Sequence, residues 1–249
     1  MAFWPELLAR LEAAQEEAVR SLGEERAYHI INVHAAALLE VKKAVEAAYG
    51  PEERAASLLY AQLPSLLAEL AWAQLALLSA HYPSAFRCLR SALELACRAR
   101  LADLAYPTEV AERKLAKAAL LEKKRKKWPR GWRLVKKALE SLGGFELERE
   151  ELLRLRRAWK AASKHAHASL TAWGEEGGLW RPWTFDEQIA ASILQASDAV
   201  SDAALLLLLD AFPRIREQVA AFLSAREWES HLPTTYRYLR MCDRSCSAS

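Results

Sequence analysis

Asparagine occurs once in this chain, at Asn32, and only eight glycines and nine prolines are spread over its 249 residues. These few breakers fall where apolar residues spaced three and four apart give way, which is how helices are punctuated. Convincing strand alternation is absent. The scarcity of Asn, beside abundant Ala, Leu, Arg and Glu, suits helices and spares a thermolabile side chain, which points to a thermophilic source. Long apolar runs are lacking too: the longest, residues 203–209, is bounded by Asp202 and Asp210 and falls far short of the ~20 residues that cross a bilayer. A core helix is expected there, and no membrane association. Residues 1–10 lack the cationic flank, apolar stretch and small-residue site of a secretory signal, so the expected location is the cytoplasm.

The four cysteines form two pairs, Cys88 with Cys97 and Cys242 with Cys246, without the second ligand pair of a zinc site. Cys88 and Cys97 are nine positions apart on one expected helix, a rise of about 13 Å, and a disulfide needs Cα atoms within ~7 Å. They read as small buried apolar residues. Phosphate-binding loops, dinucleotide fingerprints and the Gly-x-Ser-x-Gly elbow are also missing, which argues against ATP-driven and redox chemistry; no cofactor and no metal are expected.

What is present is material for a core. Apolar residues make up 52% and charged residues 27%, which excludes a disordered chain and allows one large domain. Helices are expected at about 4–22, 24–49, 51–82 with a break at Pro64, 84–106, 108–127, 131–142, 145–172, 185–212 and 213–228. The fold class is therefore all-α, a bundle of about seven to nine helices spanning residues 1–230, with a loosely held tail at 231–249. The segment 173–184 carries Trp173, Trp180 and Trp183 with Gly174, Gly177 and Gly178; its aromatics either pack on the protein's own core or mark a contact surface.

Three stretches hold residues able to do chemistry. On 86–104, the helical stripe of Phe86, Leu93, Cys97, Leu101 and Leu104 also takes in Arg90 and Glu94. Burying a charge is costly unless it is paired, so these two, one turn apart, either satisfy each other or line a polar cleft. On 156–169, Trp159, Ser163 and His167 stack along one helical face with Arg156 one turn earlier. His167 beside Ser163 is a candidate general acid or base, with Arg156 or Lys160 holding a phosphate; the alternative is a set of hydrogen bonds to neighbouring helices. His165 and His167 diverge by roughly 200° on a helix and do not chelate one metal.

The third stretch is basic: Lys123, Lys124, Arg125, Lys126, Lys127, Trp128, Arg130, Trp132 and Arg133, continued by Lys136 and Lys137. Nine cations face one acid between residues 122 and 137, in a chain whose net charge is only +3. Such a run attracts polyanions, and the interleaved tryptophans offer surfaces for unpaired bases, so RNA or single-stranded nucleic acid is the natural ligand. A solvated helix end, with lysines complementing the dipole before Pro129, is the competing reading. His29 and His34 read as core or surface histidines, and Asp198 and Asp202, one turn apart, lack the second pair of a dimetal site.

The Arg-x-x-x-Glu helix, Arg90 to Glu94, followed by an aromatic-x-x-x-Ser-x-x-x-His-x-Ser helix, Trp159, Ser163, His167 and Ser169, resembles a group of all-helical prokaryotic proteins that is itself similar to the HEPN superfamily. The resemblance covers about the middle half of the chain. It implies a helical bundle, often dimeric, acting as a metal-independent ribonuclease in defence or RNA processing. HEPN sites pair an Arg with a His after four to six intervening residues. Here Lys160 precedes His165 by four and His167 by six, while Arg156 and Arg157 stand further away, so the resemblance puts lysine where the family has arginine. Lysine keeps the charge but loses the bidentate fork that grips phosphate.

Two functions follow as expectations. The first is an RNA-associating, HEPN-like protein that holds RNA on the basic stretch and cuts or occludes it near Arg156, Lys160, Ser163 and His167. The second is a non-enzymatic module in which the same helices form a homodimer or partner surface.

Overall fold

The computed structural model describes residues 3–123, 129–166 and 184–246. Twelve α-helices and two short 3-10 turns are present among them, and no strand. The all-α expectation holds; the count of seven to nine does not, because one expected helix is split into three and a further helix lies in the expected tail. The span expected as 51–82 becomes α3 (Pro51–Ala56), α4 (Leu58–Ala61) and α5 (Leu63–Leu78). Ser57 interrupts it by capping α4, accepting from the Tyr60 amide. Asp103 adds a second cap from a distant helix, accepting from the Leu58 amide at 2.7 Å and the Leu59 amide at 3.0 Å. Side chains that satisfy orphan amides in this way stabilise a helix start in mid-sequence.

The remaining helices are α1 (Phe3–Leu22), α2 (Glu24–Ala48), α6 (Tyr82–Ala105), α7 (Ala111–Lys123), α8 (Trp132–Leu139), α9 (Arg149–Ala166), α10 (Glu187–Ala211), α11 (Arg216–Ser224) and α12 (Pro233–Cys246). The bundle is organised around α6 and α10, which pack on each other and both on α9. Helix α6 also meets α4, α5, α7 and α8, and α10 meets α2 and α12. Leu205, Leu206, Leu207, Leu208 and Leu209 are all fully buried, so α10 is apolar on every side because it has neighbours on every side. By length and hydropathy α10 would span a bilayer, but 83% of its most apolar window is buried inside the protein. It is the core helix.

The segment expected as a loose tail is instead helical over α12. Its inward side is Leu232, Thr235, Tyr238 and Leu239, all buried, a mixture of polar and apolar residues that hides the helical period. Phe145 and Tyr238 meet edge to face with ring centroids 5.1 Å apart, an arrangement that adds to the burial of both rings. The start of α12 is capped from α10: Asp202 accepts from the amides of Thr234 at 3.0 Å and Thr235 at 2.8 Å.

Candidate functional site

Helix α9 divides its charges by position. After Arg149 at its first position, Glu150 and Glu151 lie in its first turn, while Arg154, Arg156, Arg157, Lys160 and Lys164 follow with no acid among them. Both halves complement the helix dipole. The inward face of the cationic half carries Ser163 and Trp159, the latter against Arg90 of α6 and Trp132 of α8.

Trp159 is the hinge of the site. Its ring centroid is 6.2 Å from that of Trp132, with the planes tilted by 51°. Gly131, which opens α8, has φ +54°, and a Cβ there would lie 3.2 Å from Trp159 Cζ2. Glycine is needed for both reasons, since other residues avoid that conformation and a side chain would press on the indole. Trp132 is thus packed on a protein ring and only partly exposed. The Arg90 guanidinium sits 5.8 Å from the Trp159 ring centre, and its Nε donates to Glu94 Oε1 at 2.9 Å. Arg90 and Glu94 are 23% and 19% exposed, so this pair is a local tie against the indole.

Ser163 Oγ and Trp159 Nε1 are buried and have no hydrogen-bond partner among the described residues. Arg156 and Lys160 project outward, exposed on either side of Trp159 in sequence, as Arg130 and Arg133 do beside Trp132. The tryptophan contact therefore joins two basic segments. His167 and Ser169 lie outside the described residues, as do Lys124, Arg125, Lys126, Lys127 and Trp128 and the tryptophans of 173–183; Lys123 and His165 are described only as backbone of α7 and α9.

Other chemistry-bearing groups are spent on the fold. Burial pushes the Cys97 thiol far above its usual range and that of Cys88 up to about 11, so neither is a ready nucleophile. Lys114, itself buried, donates to Asp103 Oδ1 at 2.9 Å, and Arg100 pairs with Asp210. Among the described residues no group of three or more His, Cys, Asp or Glu side chains is placed to hold a metal.

One constellation was not anticipated from the sequence. Asp198 accepts from His34 Nε2 at 3.1 Å and from His231 Nδ1 at 3.2 Å, joining α2, α10 and the turn before α12. Burial pushes its carboxyl up, but the hydrogen bonds from His231 and His34 outweigh this and hold it below the usual carboxylate range. The only signal in sequence was the pair Asp198 and Asp202 inside an apolar helix.

The chain matches no family model, no curated protein and no solved structure.

Proposed function

We propose that this protein binds single-stranded RNA across the basic face formed where the start of α8 meets the second half of α9. The observation that carries this is the Trp132–Trp159 contact. It draws Arg130 and Arg133 toward Arg156 and Lys160, four cations from segments far apart in sequence, all exposed. In sequence, the basic run from Lys123 to Trp128 directly precedes this face's Arg130. Cations grip the phosphate backbone without regard to sequence, and the exposed part of Trp132 offers a stacking surface.

The enzymatic form of this proposal is a HEPN-like, metal-independent ribonuclease in the cytoplasm. The RNA 2′-hydroxyl attacks the adjacent phosphorus, forming a 2′,3′-cyclic phosphate as the P–O5′ bond breaks; His167 moves the proton from the 2′-oxygen to the departing 5′-oxygen, and Arg156 or Lys160 stabilises the developing charge. Ser163 takes no part in that step, because its hydroxyl is buried.

The test is a gel assay with labelled single-stranded RNA and no added metal. Four neutralised phosphates predict about a 50-fold loss of affinity between 50 and 200 mM salt, from a slope of roughly −0.7 per phosphate on single strands. The triple variant R133A/R156A/K160A should lose most of that salt dependence. A flat salt response in the wild type would exclude the basic face as an RNA site. Cleavage that disappears in His167→Ala would establish the ribonuclease.

A second reading rests on α5. Pro64, Ala68, Ala71, Trp72 and Leu75 are exposed and uncharged along one side of it, with Trp72 63% and Leu75 50% accessible. A continuous apolar stripe of this kind suits a second copy of the chain. Sedimentation of wild type against Trp72→Glu checks it: a dimer that becomes a monomer supports the module, and a monomeric wild type rules it out.

A further inference from the structure

On the other side of α9 from Trp159, the helix faces α10 across a hollow of about 380 Å³. It exists because the facing side chains are small: Ala158, Ala161 and Ala196 form its floor. The polar groups lining it are Arg154, Arg157, Ser192, Gln195, Asp198 and Ser230. Their partners differ. Arg154 is committed to Asp202 and also reaches Thr234 Oγ1 at 3.4 Å. Asp198 is fixed by its two imidazoles, and each donates to it from a defined nitrogen. His34 is buried, and with Nε2 donating its Nδ1 has no partner among the described residues. Asp198 therefore keeps its negative charge and has lone pairs to spare. Arg157 has no hydrogen-bond or ion-pair partner among the described residues and is exposed.

Two opposite charges thus line one hollow together with three alanines, and they form no ion pair with each other. A hollow of this size falls in the range of small-molecule sites, roughly 300–1,000 Å³. The Arg157 fork matches a phosphate bidentately. The hydroxyls of Ser192 and Ser230 and the Gln195 amide supply neutral donors beside it. Asp198 is an acceptor for a hydroxyl, and the alanines suit the carbon face of a small ring.

We infer that the hollow between α9 and α10 is a binding site for a small phosphate ester bearing hydroxyls, with the phosphate on Arg157 and a hydroxyl on Asp198. This site is separate from the basic face and does not depend on the RNA reading. Arg154 positions the Arg157 side of the wall through Asp202, and His34 and His231 position the carboxylate.

Isothermal titration of the full chain with ribose 5-phosphate, inorganic phosphate and ribose tests it. Ribose 5-phosphate should bind saturably at millimolar concentration or below, at least about tenfold more tightly than ribose. Arg157→Ala should weaken ribose 5-phosphate and inorganic phosphate about tenfold or more. Asp198→Asn should weaken only the sugar phosphate and leave inorganic phosphate within about twofold. Arg113→Ala, an equal charge change on exposed α7, should alter neither. Arg157 is exposed, so its variant folds, and unchanged helical circular dichroism confirms that for each protein. The inference is overturned if ribose 5-phosphate gives no saturable heat, or if Arg157→Ala binds it as well as the wild type does.

Discussion

Helices α6 and α10 each carry two charged residues one turn apart in an otherwise apolar stretch, and they handle them in opposite ways. On α6 the pair is of opposite sign, Arg90 and Glu94, and the two close on each other at 2.9 Å. On α10 the pair is of like sign, Asp198 and Asp202, and neither can satisfy the other. Each recruits partners from far along the chain: Asp202 takes Arg154 and the amides of Thr234 and Thr235, and Asp198 takes His34 and His231. An opposite-sign pair can thus close within one helix, while a like-sign pair on a buried helix forces long-range contacts and so helps decide which helices meet.

The most severe way to break this contrast is Asp202→Ala. The carboxylate is 1% exposed, and its loss leaves two buried amides at the start of α12 without an acceptor and the Arg154 cation with only its 3.4 Å contact to Thr234 Oγ1. Removing one partner of a buried pair costs about 3–5 kcal/mol, most of it the penalty for the groups left behind. Urea unfolding of the variant should show a loss of that size, with protection of α12 amides from hydrogen exchange falling first. A loss below about 1 kcal/mol would mean that α12 is held by its other contacts, the buried Tyr238 and Leu239 and the Arg237–Glu151 pair.

The same contrast explains what the sequence made legible. The all-α class, the start of α1 and α2, the helical run through α6 and the apolar interior of α10 followed from spacing, because a helix's period is local. The Arg90–Glu94 tie followed for the same reason. The three-way split of the segment after Tyr49 did not, since the Asp103 cap on α4 comes from 44 and 45 positions away. Nor did α12, whose first turn is completed by Asp202 and whose buried face contains Thr235 and Tyr238. Trp132 was read as free to stack on bases; the packing of Trp159 behind Gly131 shows that most of that ring is used inside the fold. The hollow between α9 and α10 was beyond reach for a simple reason: it is defined by what three alanines leave empty.

A smaller effect comes from pH. The carboxyl of Asp198 titrates below its ordinary value in the folded chain, so its contribution to stability is fully present above the unfolded carboxylate pKa of roughly 4 and is lost as pH falls through the lower folded value. Asp198→Asn removes this contribution. The difference in unfolding free energy between wild type and variant should therefore shrink on acidification below about pH 4. A difference that persists unchanged into the acid range would show that the two imidazoles hold the site by packing rather than by donating to a carboxylate.

The smallest effect belongs to the opposite-sign pair on α6. Arg90 and Glu94 are each about one-fifth exposed, so solvent screens their attraction, and partly exposed pairs one turn apart contribute about 0.3–1 kcal/mol. A double-mutant cycle of Arg90→Ala with Glu94→Ala should give a coupling in that range. The Arg90→Ala variant should cost more than Glu94→Ala, because it also loses the guanidinium over the Trp159 ring, worth about 0.5–1 kcal/mol. A third corner decides whether the indole matters: with Trp159→Leu in the background, the excess cost of Arg90→Ala should vanish while the coupling to Glu94 stays. If the coupling also vanishes, Trp159 fixes the rotamer that lets the pair form, and the two charges of α6 depend on a neighbouring helix as much as those of α10 do.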